Sequence, residues 1–598
     1  MIFSAKKTAR NDQAYSLLRR VASLGTDDTR NPPGAILDLA TLTWLIAPAL
    51  VYLALSMDRT INDYDEGIIL FGSARVLSGD IPHRDFYALY GPGQFYALAA
   101  LFKIFGTSVL VERVWDTVVR CFCGMLVFVI VGQSAPRRFA FVAHWATVLC
   151  LGGVLGYGYP ALPALAAALA SLALLAPLFG RGGSAPRTIA AGACSGLTML
   201  FRYDVGAAVF VLELVVLLAS LVIEQRNSPH SLRPAMRAAA LFGLGFALAI
   251  APVGAAFAFA GAIPDLVFDV VTNPAQLYVR TRSLPFPRLR LASDLPEVVA
   301  VYFPLFAVIA AAPTILALAR GRREYDGAEE RLSYPVRQSW MPIALVALIL
   351  AFYAKGFVRP ETVQMIMALV TSLALIGVIA RPMRGRGIVE GSTVLAAVVA
   401  SYLFVAFEVR RGLHETWMNL ISLASSSATD ASNSGSPPIS GSCRMPTWME
   451  RLNCFEVSPE ESDVIRYVQQ HTDVDDTIFV GLSRHDKIHS NNVFLYFAVN
   501  RKSATKWYHF DPGLQTSVKI QTLILGELRR ANPKLIVIDP FWFGESEPNE
   551  SALSSGVTLL DDYIKETFSP AATFGQYAVL RRRTFGASED RDTIKAGR

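Results

Sequence analysis

The feature that most constrains this chain is a succession of apolar runs, each near twenty residues long, separated by short polar breaks. A helix of about 20 apolar residues spans the hydrocarbon core, because backbone N–H and C=O groups left unpaired in lipid are too costly. The runs fall near 39–57, 114–132, 139–156, 160–179, 188–201, 205–223, 238–260, 298–319, 340–354, 362–380 and 388–407, which predicts about 11 transmembrane helices. The stretch from Thr188 to Ile223 is too long for one crossing and is broken by Arg202, Tyr203 and Asp204, so it reads as a tight helical hairpin. Composition agrees. Of the 598 residues 53% are hydrophobic and 17% charged, which points to the bilayer as solvent.

The net charge of +6 comes from Lys and Arg grouped between apolar runs, a pattern of topology determinants that excludes a nucleic-acid surface. Clusters at Arg137-Arg138, Arg181–Arg187, Arg226–Arg237, Arg320–Arg337 and Arg381–Arg386 fall on the side of the basic N-terminal tail, 1–38. That side is therefore expected to be cytoplasmic. No small-residue cleavage site accompanies the first run, so it is expected to be retained as a span. An odd number of spans then sends the chain outside after 407. A linker, 408–454, rich in Ser, Gly and Pro from Ser422 to Pro446, leads to a unit at 455–598. There, strands near 476–481, 534–539 and 576–580 alternate with helices near 461–470, 516–531 and 557–566. The expected fold is a polytopic all-α membrane domain, 39–407, followed by a small soluble α/β domain. Cys121, Cys123, Cys150 and Cys194 lie in apolar runs and make no zinc site, while Cys443 and Cys454 flank a polar segment as either a disulfide or two thiols.

Two external loops, 58–112 and 261–297, are long enough to hold a site. The first opens with Asn62-Asp63-Tyr64-Asp65-Glu66 and runs through "ARVLSGDIPHRDF" (74–86) and "YGPG" (90–93) to an apolar helix ending "FKIFG" (102–106). Carboxylates directly after a first span, a short amphipathic helix and a second helix too short to cross easily form one arrangement. It resembles the C-superfamily of membrane glycosyltransferases, which includes protein O-mannosyltransferases, lipid A aminoarabinose transferases and bacterial lipopolysaccharide-core sugar transferases. The resemblance covers the membrane half well and the tail weakly. It implies a multi-pass enzyme of the bacterial cytoplasmic membrane with its active site and C-terminal domain outside. It also implies a polyprenyl-phosphate-linked sugar as donor and an envelope glycan, lipid or protein as acceptor, met at the membrane lipid boundary.

Such a transfer needs a base to take the acceptor's hydroxyl proton as a sugar phosphate leaves. By the resemblance, Asp65 matches the Asp of the family's Asp-Glu pair and is the candidate base, with Glu66 as a substrate or metal contact beside it. Asp63 and Asp85, the latter next to Arg84, are further acidic candidates for substrate binding. The alternative is that Asp63, Asp65 and Glu66 cap the helix that follows. The leaving phosphate calls for a fixed cation or a divalent metal ion. Outer-side cations are Arg202, Arg280, Arg282, Lys355 and Arg359. Arg202 and Asp204 sit at the hairpin apex, where a purely structural ion pair is the competing reading. Relatives often carry an acid between the third and fourth spans and a His after the basic position that Arg359 resembles. Here the first turn reads "GYGYP" (156–160), leaving Asp265 and Asp269 as candidates to fill the gap, and Glu361 and Gln364 follow Arg359. In the tail, Arg484, His485, Asp486 and His489 lack a fixed third metal ligand. A transporter or lipid flippase is the rival reading; against it, the chain shows no internal repeat and has a dedicated acidic loop.

Overall fold

The structure is a computed structural model that describes residues 39–154, 156–180, 183–224, 232–288, 295–325, 333–380, 388–429, 447–453, 455–539 and 546–583. The basic tail 1–38, Cys443 and Cys454, linker residues 430–446 and the cluster at 381–386 lie outside the described residues.

Every predicted apolar run is helical. In chain order the helices are α1 (Leu39–Leu55), α2 (Asp65–Leu77), α3 (Pro92–Phe105), α4 (Val109–Gly132), α5 (Arg137–Gly153), α6 (Ala161–Leu175), α7 (Ala185–Phe201), α8 (Tyr203–Glu224), α9 (Leu232–Phe259), α10 (Ile263–Val267), α11 (Val279–Arg282), α12 (Leu295–Tyr325), α13 (Ser333–Gly356), α14 (Thr362–Ile379) and α15 (Ile388–Thr429). Among the described residues, 6 segments are long and apolar enough to cross a bilayer: Val109–Gly132, Ala161–Leu178, Tyr203–Glu224, Leu232–Phe259, Leu295–Leu316 and Thr362–Ile379. Thr41–Leu55 and Trp340–Gly356 are shorter apolar helices. The expected count of eleven spans is not confirmed by these segments; α5 and α7 have 17 residues each, at the short end for a crossing.

Two local features shape the membrane half. Helices α7 and α8 are parted by a single extended residue, Arg202 (φ −139°, ψ 94°), and Gly206 lies directly against Met199, so the chain folds back as a hairpin. Helix α15 runs on through Thr429, past the expected start of the linker at 408, because the charges of Glu408, Arg410 and Arg411 interrupt hydropathy without interrupting helix propensity. Its Asn419 Nδ2 donates to the carbonyls of Leu55 and Met57 at 2.9 and 3.0 Å, satisfying groups left open where α1 ends.

The C-terminal unit contains α16 (Pro459–His471), β1 (Thr477–Leu482), α17 (Phe494–Val499), β2 (Lys502–Ser503), α18 (Val518–Ala531), β3 (Leu535–Asp539), α19 (Leu559–Thr567), β4 (Phe568–Phe574) and β5 (Tyr577–Arg582). The sheet order is β2-β1-β3-β5-β4. Strand β1 is parallel to β2 and β3, with Ile478 opposite Leu535, and β5 is antiparallel to β3 and β4. The three predicted strands and helices are present. Strand β4 eluded the reading because "FSPAATF" carries Pro570 beside a bulge at a sheet edge and is mostly exposed.

This unit does not stand apart. Its six-residue helix α17 is wholly buried and packs on α2, and a Cβ on Gly67 of α2 would come within 2.5 Å of the Phe494 backbone nitrogen. One hydrophobic core runs from Leu45 of α1 through Ile68 and Phe71 of α2 to Phe494, Tyr508 and Val579.

Candidate active site

Helix α2 begins without a side-chain cap. Tyr64 occupies the N-cap with helical backbone angles, and the first turn is closed by two other bonds. The Asp65 backbone N–H donates to Asn62 Oδ1 at 2.7 Å, and the Asn62 N–H donates to Glu66 Oε2 at 2.9 Å. The Asp65 carboxylate is thus not consumed in capping. It accepts from the hydroxyl of Tyr90 at 2.7 Å and from that of Tyr157 at 3.2 Å. Burial, reinforced by the charge of Asp65, pushes both phenols well above their ordinary range, so they stay protonated donors.

Glu66 is placed differently. It is fully buried and takes the guanidinium of Arg113 at 2.8 Å on each oxygen. Arg113 also donates to the carbonyls of Asp58 (3.1 Å) and Thr60 (2.8 Å), tying the end of the first span to α4. Glu66 is therefore a strut beneath the first turn and faces no open space. Next to it, buried Glu112 accepts from the backbone N–H of Gly158. That contact shapes the "GYGYP" turn, which presents Tyr157 to Asp65 and Tyr159 to Arg202.

The cations gather around Tyr159. The Arg202 side chain pairs with Asp204 through Nε at 2.9 Å and through Nη2. Its Nη1 donates to the Tyr159 hydroxyl at 3.3 Å, and the guanidinium lies 5.6 Å from the Tyr90 ring centre and 5.7 Å from that of Tyr159. Lys355, at the end of α13, bonds Gln364 and lies 5.6 Å from the same Tyr159 ring; Gln364 reaches the Tyr159 hydroxyl at 3.4 Å. The "YGPG" motif explains how Tyr90 comes here, because Gly91 and Gly93 lie against the Leu200 backbone, an approach any side chain would prevent. Asp65, Arg202, Asp204 and Lys355 thus come together around three tyrosines, Tyr90 and Tyr157 holding Asp65 and Tyr159 meeting both cations.

The remaining sequence candidates lie elsewhere. Arg359 forms a bidentate pair with Glu547 of the C-terminal unit at 3.0 and 2.8 Å and also meets Glu361 at 3.1 Å. Arg280 pairs with Glu550 at the surface, and Arg282 with Asp511 at 2.7 Å. Arg84 and Asp85 pair with each other at 2.7 Å. Asp269 holds His83 at 3.0 Å and Asp265 holds Lys506 at 2.7 Å, so neither joins Asp65. Asp63 is pushed up to about 8, first by burial and then by the charges of Glu461, Asp539 and Glu66. His485 is spent on Asp561 at 2.7 Å and on the Leu482 N–H, and Arg484 on Asp486. Among the described residues no group of three or more His, Cys, Asp or Glu side chains is placed to hold a metal ion, and the charges facing Asp65 are cations, so these residues do not fit one. Tyr90, Tyr157 and Tyr159 went unpicked in the sequence; the alternation of Tyr with Gly in "YGPG" and "GYGYP" is the signal that marks them.

No family model matches the chain, and no curated protein matches it. Solved structures do. Apo ArnT from Cupriavidus metallidurans superposes with a TM-score of 0.50 at 13% identity, over 90% of this chain and 97% of that one. At that identity the likeness shows a shared fold. The same ArnT bound to undecaprenyl phosphate gives 0.49 at 14% identity over 91% and 98%. The oligosaccharyltransferase AglB from Archaeoglobus fulgidus, in complex with an inhibitory peptide and a dolichol-phosphate, gives 0.40 at 11% over 84% and 70%. Within this fold, the acidic first loop, the α7–α8 hairpin and the end of α13 bring the Asp65 cluster together.

Proposed function

We propose that this chain transfers a sugar from a polyprenyl-phosphate-linked donor to a hydroxyl of an extracytoplasmic envelope glycan, lipid or protein. Asp65 is the base that takes the hydroxyl proton, with Tyr90 and Tyr157 orienting its carboxylate. Arg202 and Lys355 hold the phosphate that departs, their charges otherwise balanced only by Asp204 and by aromatic faces. The observation that supports the reading is a tyrosine cluster that holds the Asp65 carboxylate by the hydroxyls of Tyr90 and Tyr157 and carries Arg202 and Lys355 on the adjoining ring of Tyr159. Glu66 acts through Arg113, setting the height of Asp65. The site, loops 58–112 and 261–297 and the C-terminal unit share the face opposite the cytoplasm in this reading, which the sequence distribution of Lys and Arg supports.

The test is an Asp65→Asn variant in reconstituted vesicles supplied with radiolabelled polyprenyl-phosphate sugars and envelope extract. Transfer is expected to fall about 10²–10⁴-fold, the usual contribution of a general base, with insertion and abundance unchanged. Transfer at the wild-type rate would move the base elsewhere. Mass spectrometry of surface glycans from cells lacking the protein then names the sugar and the acceptor through the decoration that is lost.

A further inference from the structure

A loop of the C-terminal unit, 507–513, inserts between the two long loops of the membrane half. Its Asp511 carboxylate gathers donors from three separate segments. Oδ1 accepts from Arg282 Nη2 of α11 at 2.7 Å and from the Tyr64 hydroxyl at 3.2 Å, and Oδ2 accepts from the Tyr87 hydroxyl at 2.8 Å. Tyr64 also donates to the Phe510 carbonyl at 2.7 Å, and Asn273 Nδ2 donates to Tyr87 at 2.8 Å, closing the network. The Asp511 backbone N–H is fixed by Gln515 at 2.7 Å. His509 stacks on Tyr87 with ring centres 4.7 Å apart and meets Tyr64 edge-on at 6.2 Å. Burial holds this imidazole down at about 4, so it shields the carboxylate from water without adding charge.

The positions of these donors matter. Tyr64 immediately precedes Asp65 and is the N-cap of its helix. Tyr87 lies three residues before Tyr90, which donates to Asp65. Arg282 ends the helical run of the second loop, four residues after Tyr278, which senses the charges of Arg202 and Asp204. The Arg280–Glu550 pair along this seam is exposed, at 62% and 46%, against 15% and 11% for Arg282–Asp511. An exposed pair of that kind contributes little. A buried carboxylate shared by three donors fixes their mutual geometry.

We propose that Asp511 is a positioning residue for the Asp65 pocket, holding the start of α2, the Tyr87–Tyr90 stretch and the second loop in one frame. The C-terminal unit is then a component of the active site. The clamp itself stands on geometry; its kinetic consequence rests on the glycosyl-transfer reading above.

The test uses the full chain in nanodiscs and compares wild type with Asp511→Asn, Asp511→Glu, Tyr64→Phe and, as a control in the exposed pair, Glu550→Gln. Backbone hydrogen exchange in Asp511→Asn should quicken at residues 62–68 and 277–284 and stay unchanged in the sheet of the C-terminal unit. Transfer should lose about 10²-fold in kcat, the cost of displacing a reacting group by about 1 Å, with KM for the donor held within about two-fold and part of the rate restored in Asp511→Glu. Tyr64→Phe removes one donor while leaving the carboxylate in place, so a milder drop in kcat is expected even if Asp511→Asn fails to fold. Unchanged exchange at both segments overturns the clamp, and quickened exchange with normal kcat overturns the positioning role. Quickened exchange in a protein whose wild type transfers no polyprenyl-phosphate sugar supports the clamp and sinks the reaction reading instead.

Discussion

The Asp65 pocket and the seam between the loops and the C-terminal unit are built from the same kinds of residue, carboxylates, arginines and tyrosines, yet they spend their charges in opposite ways. Along the seam three cations reach an acid: Arg282 meets Asp511, Arg359 meets Glu547 and Lys506 meets Asp265. In the cluster the Asp65 carboxylate accepts from two tyrosine hydroxyls, Arg202 pairs with Asp204, and Lys355 bonds Gln364 and faces the ring of Tyr159. Paired charge fixes geometry and is quiet toward ligands. Charge held by hydroxyls and ring faces remains available to a ligand, and desolvation makes each remaining interaction stronger. The difference is visible even between chain neighbours, since Asp65 faces the pocket while Glu66 is locked to Arg113.

Three substitutions would break or sharpen this contrast. The largest effect is expected from Glu66→Ala, which leaves the Arg113 guanidinium buried without its main partner. It should cost about 3–5 kcal/mol of stability, read as a lowered unfolding temperature in detergent, whereas Asp65→Asn should leave that temperature in place. Equal losses from both would erase the distinction between strut and reactive acid. Next, Arg202→Ala should raise KM for a polyprenyl-phosphate donor about 10–100-fold, the equivalent of one charge-assisted contact of roughly 1.5–3 kcal/mol, and Arg359→Ala should change it far less. A larger effect at Arg359 would put the phosphate on the seam. The last effect is one of pH and concerns Asp63, whose carboxyl is pushed by burial up to about 8 from its ordinary 3.8. The folded chain then binds one more proton than the unfolded chain between those values, so this contribution to stability is complete below pH about 4 and lost as pH rises through about 8. Asp63→Asn should flatten that part of the stability profile; a profile with the same slope in the variant would assign the titration to another group.

Much of this was legible in the chain before any coordinates. The apolar runs announce every long helix, because the bilayer leaves the backbone no alternative, and the break at Arg202 marks the hairpin because charge at such a place is costly. Hydropathy could not set the end of α15, whose helix persists past its charges to Thr429. The acidic start of the first loop and Arg202 were readable as chemistry. Their partners were not, since Tyr157 and Tyr159 lie more than ninety residues from Asp65 and Asp511 more than four hundred. Contacts at such separations follow from packing, and the alternation of Tyr with Gly marks the tyrosines without naming their partners. Arg359 shows the opposite error. Its setting before a late span resembles a phosphate-holding position, but the acid that occupies it, Glu547, comes from a segment whose approach no local pattern records.

The contact between Gly67 and the Phe494 backbone has a consequence for anyone recombining such proteins. Where main chain meets main chain there is no side chain to exchange or to repack, so the fit depends on the two backbones having been shaped together. A tail borrowed from another protein of this fold would meet α2 as a foreign surface, and the tail expressed alone would lay bare the wholly buried run from Phe494 to Val499. Hybrids made by cutting after α15 should accordingly fail at assembly before they fail at chemistry.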